Sequence, residues 1–307
     1  MFRLMCRRPS PTLLLLWLLA GCHAPVLSVD DAVVVSDRPT RLVAFVEQEP
    51  ILGLRKDVEK VPVHFYAGDR ELGSDRTGRD GQATLRARLE PGAQRYEARA
   101  YVAGQRLGAV GRVFAWDPGR VAIAVDVDQT IERTDYDELI LKPSADPSPP
   151  VGRAAETLRT LARDYHLVYF TGRPRFLLEK TRHWLDKHGF PPGPVITSKG
   201  LRDVVHPGEF KRQRLRRLRH DWPNLLIGIG DKPSDADAYG ANGMLSLVVA
   251  GRDRDDFEPH ALIFSDWESL GRFFDANRET LTDPAALREV LDGRRMLLQP
   301  VLPYRER

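Results

Sequence analysis

Val121 to Thr130 reads VAIAVDVDQT, and no other stretch limits the fold as much. Five apolar residues run without alternation into Asp126, Val127, Asp128, Gln129 and Thr130. Such a run suggests a strand buried on both faces, as in a parallel sheet. Open α/β sheets bind their ligands outside the C-terminal ends of the strands, where these carboxylates fall. Side chains at i and i+2 leave a strand on the same side. Like charges this close repel, so a bound cation is the cheapest way to keep both ionised. The bland alternative is a strand that ends in an Asp-rich turn.

Beyond Thr130 the chain alternates between helix and strand. Gly152 to Asp164 has a helical face of Ala155, Leu158, Leu161 and Ala162, after a Pro/Ser-rich loop at 142–150. Leu167 to Phe170 is a second strand, leading into Thr171-Gly172-Arg173-Pro174, with Pro174 suited to the first turn of a helix. On that helix Leu177, Thr181, Trp184 and His188 share a face, and Gly189 supplies a stop. Val195–Thr197, Leu225–Gly230, Met244–Val249 and Ala261–Phe264 are further strands. Phe210–His220 is a basic helix, and Trp267–Asn277 is another helix. The fold class implied is α/β, a doubly wound parallel sheet.

The first part of the chain is different. Arg41–Val46, Val61–Tyr66, Ala83–Leu89 and Arg95–Val102 are short β-prone stretches. In the last, Tyr96, Ala98, Ala100 and Val102 alternate with more polar residues, as in a half-buried strand. Turn signals at Ala67-Gly68-Asp69, Asp80-Gly81 and Pro91-Gly92 separate them. The spacing predicts a small all-β sandwich. Thr77-Gly-Arg-Asp80-Gly81-Gln-Ala83 resembles, loosely, a turn of bacterial Ig-like and transthyretin-like modules. The expected role is a spacer or docking module, with protein or glycan binding as the alternative. Trp116-Asp-Pro-Gly119 marks the boundary.

The opening MFRLMCRRPSPTLLLLWLLAGC is a positive segment followed by an apolar run too short to span a bilayer, which is a signal peptide. Leu19-Ala20-Gly21-Cys22 resembles the lipobox of bacterial lipoproteins, which implies cleavage before Cys22 and lipidation of that residue. Several acyl chains exceed what stable anchoring requires. His23, rather than Asp, comes next, and by resemblance to lipoprotein sorting this implies the outer membrane, facing the periplasm. Leader arginines Arg3, Arg7 and Arg8 account for the formal net charge of +3, so the mature chain is near neutral and no nucleic-acid partner is expected. Cys6 leaves with the leader and Cys22 is the lipid site, so stability must come from apolar cores rather than disulfides.

Three strands end in chemistry. They carry Asp126-Val-Asp128-Gln-Thr130, Thr171-Gly172-Arg173 and Gly230-Asp231-Lys232-Pro-Ser-Asp235, with Lys211 on the helix before the last. The order DxDxT, Ser/Thr, Lys, GDxxxD resembles the haloacid dehalogenase (HAD) superfamily of phosphatases. YFTGRPRFLLEKTRHWLDKHGFPPGPVI, EFKRQRL and GIGDKPSDADAY resemble the catalytic domain of lipin-type phosphatidate phosphatases. That module also occurs, sometimes without its catalytic residues, in relatives of phosphatidylinositol-transfer proteins. Gln129 stands where lipins usually carry Gly, a departure that bears on the turn. Lipins tend to have Asn at the place of Asp231, so Asp235 is the safer metal ligand to carry over and Asp231 a second candidate.

The resemblance implies a Mg²⁺-dependent phosphomonoester hydrolase. By that resemblance Asp126 would be the nucleophile that forms an aspartyl phosphate, and Asp128 would be the acid and then the base. Thr171 and the Gly172 amide hold phosphoryl oxygens, and Lys211 neutralises developing charge. The metal ligands are Asp126, the Asp128 carbonyl, and Asp235 with or without Asp231. Taken together, these readings divide the chain into leader (1–21), lipidated tether (22–31), β-sandwich (32–118), HAD-like domain (119–280) and peripheral tail (281–307).

Blander accounts remain for the pieces. Thr171–Pro174 alone is a strand-to-helix turn. Lys211 sits in a charge run, which is usually a solvated face, and Lys199 is its rival. Asp235 and Asp237 suit a helix cap. Arg212, Arg214, Arg216, Arg217 and Arg219 could face anionic lipid headgroups, although a solvated face is the simpler account. Short gaps between motifs imply an open, capless site. With the lipid anchor this favours phosphatidate or a related lipid phosphate, against soluble or protein phosphomonoesters. A non-catalytic phosphoryl-binding module and an envelope scaffold working through its β part are the alternatives.

Overall fold

The computed structural model describes residues 24–35, 38–48, 56–90, 92, 94–134, 148–198, 207–249 and 261–293. The leader, Cys22 and Lys199 lie outside the described residues. Among the described residues up to Trp116 the regular elements are all strands: β1 (Pro25–Val29), β2 (Ala32–Val35), β3 (Thr40–Gln48), β4 (Lys56–Asp57), β5 (Pro62–Ala67), β6 (Arg70–Arg76), β7 (Gln82–Ala87), β8 (Arg95–Val102) and β9 (Gln105–Trp116). One sheet is ordered β1-β3-β4 with β7 on β3, the other β2-β9-β8-β5-β6. Alternate residues are buried on β1, β5 and β8, and Leu42, Ala44 and Val46 of β3 share an apolar cluster with Phe65, Tyr96, Ala98 and Ala100. Burial of each large member contributes about 1.5–3 kcal/mol. The Tyr96 ring lies across β9 where a Cβ on Gly111 would come within 2.2 Å of it. Its hydroxyl donates to the Asp30 carbonyl at 2.6 Å, with the Val43 carbonyl 3.1 Å away.

Two expectations are corrected here. Residues 22–31 are not simply a tether: from Pro25 to Val29 they pair antiparallel with β3, and Leu27 and Val29 are core residues. A five-residue strand beside a leader has too little pattern to register as β. Strands β6 and β9 also escape the sequence reading. The first is mostly polar and exposed at a sheet edge, and the second is interrupted by Gly108 and Gly111.

The second region contains β10 (Ala122–Asp126), α1 (Ala154–Leu161), β11 (His166–Pro174), a 3-10 turn (Arg175–Leu177), α2 (Leu178–Lys187), β12 (Val195–Ser198) and α3 (Pro207–Asp221). Then come β13 (Leu225–Gly230), α4 (Pro233–Gly240), β14 (Leu245–Val249), β15 (Leu262–Phe264), α5 (Trp267–Ala276), α6 (Arg278–Thr282) and α7 (Pro284–Leu291). The strands form one parallel sheet in the order β12-β11-β10-β13-β14-β15. Every residue of β10 is buried, which is why its apolar run shows no alternation. The chain winds outward from β10 through β11 to β12, then returns to β13, so the strand order reverses between β10 and β13. A crevice at such a reversal is where open α/β sheets bind ligands. Gly228 lets α4 approach β13, because a Cβ there would lie 2.2 Å from the Tyr239 ring.

Pro174 is not in a helical first turn. It stays extended (φ −65°, ψ 150°), pairs with Ser198 and precedes the 3-10 turn. Nor does a peripheral tail begin at 281: Leu281, Leu287 and Val290 are fully buried in the core under the sheet. Regular spacing of apolar residues on α7 makes that burial intelligible.

The two regions are joined by more than a linker. Val33 and Trp116 belong to the same apolar cluster as Ala124, Phe170, Leu215, Leu218 and Trp222. Three buried ion pairs cross the seam: Asp30 with Arg214 on α3 at 2.5 Å, Asp31 with Arg182 on α2, and Glu47 with Arg175 at 3.5 Å. Asp31 also accepts from the Val195 amide at the start of β12. The expected spacer therefore packs directly on α2, α3 and the start of β12.

Candidate active site

Asp126 ends β10 and is 2% exposed. Lys211, reaching in from α3, donates to Asp126 Oδ1 at 2.5 Å and also to Asp235 on α4. Asp231 comes directly after β13, and one oxygen from each of Asp126, Asp231 and Asp235 lies within 4.8 Å of the others. Thr130 Oγ1 stands 3.1 Å from Asp126 Oδ2 and 2.8 Å from Asp231 Oδ1. A hydroxyl has one proton to donate and cannot fully serve both carboxylates.

Charge depends on this packing. Burial pushes the Asp126 carboxyl up to about 8, against the pull of Lys211, with Asp235 and Asp128 adding to the rise. Burial likewise raises Asp231. Burial alone would lower Lys211, but Asp126 and Asp235 outweigh it and hold the ammonium charged. Three acids thus meet one hydrogen-bonded cation among the described residues. An all-oxygen donor set with surplus negative charge fits a hard divalent ion such as Mg²⁺.

Asp128 lies in a different setting two residues on. Its carboxylate accepts from Thr171 Oγ1 at 2.7 Å, Thr134 Oγ1 at 2.9 Å and Arg173 Nε at 2.8 Å. Burial acts to raise its pKa, yet Arg173 and the hydroxyl donors hold it below the ordinary carboxylate range. Arg173 also donates to Glu132 Oε2 at 2.6 Å, and both side chains are 1% exposed. Burial raises Glu132 despite that partner.

The turn between the acids explains the unusual Gln129. Its φ is +65°, a left-handed conformation that suits Gly and costs another L-residue about 1–2 kcal/mol. The Gln129 amide donates to the Glu132 carbonyl, and Nε2 donates to the Thr134 carbonyl at 2.7 Å, which offsets part of that cost. The turn is therefore made without the glycine.

The structure brings Asp126, Lys211, Asp231 and Asp235 together, with Asp128 and Thr171 adjoining them. The Asp128 carboxylate turns to Arg173 rather than to the acid trio. The Thr171 hydroxyl is engaged by Asp128, while Gly172 sits at a register shift in β11 with open space beside its Cα. Asp235 also has the capping geometry, as N3 of α4. Arg214 does not belong to a lipid-facing basic surface, since it is buried against Asp30, whereas Arg212, Arg216 and Arg217 are exposed. Sequence reasoning gave no role to Arg173, Glu132, Thr130 or Thr134. Arg173 had a signal, its place beside Thr171-Gly172; Glu132 had none.

Known proteins can be set beside this geometry. Residues 123–246 match the family model of the LNS2 domain of PITM 1-3. A stretch of 104 residues is 26% identical to membrane-associated phosphatidylinositol transfer protein 3 of Mus musculus. That match covers 33% of this chain and about a tenth of the relative's length (10%). These matches support a lipin-like LNS2 relationship for the α/β region, and that family has a HAD-like phosphatase fold. Among solved structures, the M1 domain from titin aligns at TM-score 0.23 and 18% identity, over 30% of this chain and 94% of that one. A carbohydrate acetylesterase from Xanthomonas citri aligns at TM-score 0.32 and 12% identity, over 84% of this chain and 75% of that one. Scores this low carry no argument about activity.

Proposed function

We propose that the chain is a Mg²⁺-dependent phosphomonoester hydrolase acting through an aspartyl phosphate, with phosphatidate or a related lipid phosphate as substrate. We place it in the bacterial envelope, anchored by a lipidated Cys22 at the outer membrane and facing the periplasm. Its first region would be an Ig-like or transthyretin-like module ahead of a HAD-type domain. The observation that carries the reading is the cluster of Asp126, Lys211, Asp231 and Asp235 at the reversal between β10 and β13.

Asp126, Asp231, Asp235 and the Asp128 carbonyl would hold Mg²⁺, which when bound offsets repulsion between the carboxylates and a phosphate dianion. An Asp126 oxygen bonds to phosphorus as the ester P–O bond breaks. The leaving oxygen takes its electron pair and a proton from Asp128. Water then attacks the aspartyl phosphate, gives a proton back to Asp128, and releases Asp126 as carboxylate. Lys211 stabilises charge on the phosphoryl oxygens, and the Gly172 amide faces them. Asp128 can carry that proton only once the Arg173 guanidinium moves off it and onto Glu132 alone, which Arg173 already contacts.

The full-length protein in detergent, given phosphatidate in mixed micelles, should release phosphate with Mg²⁺ and not with chelator. Asp126→Asn should release none; undiminished activity in that variant, or metal-independent release, defeats the mechanism. Parallel soluble and protein phosphomonoesters test the substrate class. A second reading, phosphoryl binding without turnover, draws on the fully engaged Asp128 and on the transfer protein among the relatives. Phosphatidate retention without phosphate release would favour it.

A further inference from the structure

A concave site lies at the seam, lined by none of the acid-cluster residues. A cavity of about 280 Å³ opens between the strands of the first region and α3. Its polar wall includes Arg41, Arg86, Arg214, Asp30 and Asp221; its apolar wall includes Val33, Leu218 and Trp222. Arg38 and His220 add to the polar rim, and Asp31 faces it too but is held by Arg182.

The charges in this wall do not balance. Asp30 is bound to Arg214 at 2.5 Å. Asp221 is bound to Arg86 at 3.0 Å, and Arg41 stands 3.8 Å from Asp221, beyond hydrogen-bond range. Nε and Nη1 of Arg214 are buried with no hydrogen-bond partner, and Thr40 Oγ1 in the same wall is also unpartnered. A buried guanidinium with two idle nitrogens, which carry three N–H groups between them, is costly unless something accepts from them. Burial, and then repulsion from Arg214, holds Arg41 below the usual arginine range. Asp30 tends upward through burial, but Arg214, Arg175 and Arg41 together keep it low. One acid thus serves several cations.

We propose that this cavity binds a small organic oxyanion, its carboxylate or phosphoryl-type head held by Arg41 and Arg214 and its apolar body against Val33, Leu218 and Trp222. Arginine suits such heads because its planar fork matches two oxygens at once. The volume admits a compact ligand, at the low end of small-molecule pockets at about 300 Å³. The site does not depend on phosphatase activity, since none of these residues belongs to the acid cluster.

The test is calorimetric titration of the full-length protein in detergent and chelator with benzoate, phenylphosphonate and inorganic phosphate. Benzoate or phenylphosphonate should bind in the micromolar to low millimolar range. Arg41→Met should weaken binding at least tenfold, whereas Lys211→Met, in the other site, should leave it unchanged. Arg86→Met, a change at an exposed side chain that puts the fold at little risk, should weaken it a few fold. Absence of binding at millimolar concentration, or equal binding by both arginine variants, overturns the assignment. So does loss of binding on Lys211→Met, which would place the anion in the acid cluster. Inorganic phosphate binding as tightly as phenylphosphonate removes the role given to the apolar wall.

Discussion

Asp126 and Asp128 stand two residues apart on one strand end, yet their surroundings drive them in opposite directions. Asp126 meets other acids and a single lysine, and its carboxyl is pushed up to about 8 by burial. Asp128 meets an arginine and two hydroxyls and is kept anionic. Pairs of acids with diverging environments are how one site obtains two chemical roles. The direction here is instructive: the described state gives the proposed nucleophile surplus negative neighbours and the proposed acid too many donors. A divalent ion would correct the first, and a shift of Arg173 toward Glu132 the second.

The contrast can be broken most completely at Asp126. Asp126→Asn should abolish phosphate release while melting close to the parent, because burial already disfavours the charged carboxyl and the amide oxygen keeps an acceptor for Lys211; calorimetry beside the assay checks both. Asp128→Asn should lower kcat by about 10²–10⁴-fold, the usual worth of a positioned acid or base, measured by steady-state kinetics. Arg173→Met should destabilise the fold by about 3–5 kcal/mol, since it strands two buried carboxylates. Denaturant unfolding would measure it, and adding Glu132→Gln to Arg173→Met should recover part of the loss. The smallest effect is expected at Gln129. Gln129→Gly relieves a left-handed residue but loses a side-chain hydrogen bond, so stability should change by less than about 1 kcal/mol. A larger change would show that the turn depends on its glutamine.

Much of the fold was legible in the sequence, for a definite reason. Val121–Val125, Leu167–Phe170 and Leu225–Gly230 are dense apolar runs, and a parallel sheet is the structure that buries such runs on both faces. The acid cluster was legible because each member comes after a strand end at motif spacing. What stayed hidden depends on distant partners. Glu132 and Arg173 are 41 residues apart, and nothing local announces their pairing. Asp30 reads as part of a tether, because its partner Arg214 lies 184 residues away. Strands β6 and β9 were obscured by polar edge residues and glycines.

The crossing ion pairs at Asp30, Asp31 and Glu47 have a further consequence. Heat should melt the chain in one step rather than two, because neither half keeps its buried charges neutralised alone. A fragment starting at Arg120 would leave Arg175 and Arg214 without counter-ions and Arg182 with Glu179 alone, and with Arg214 it would unsettle the helix that carries Lys211. Transplanting the α/β half into another protein would therefore require rebuilding its arginine-studded flank first.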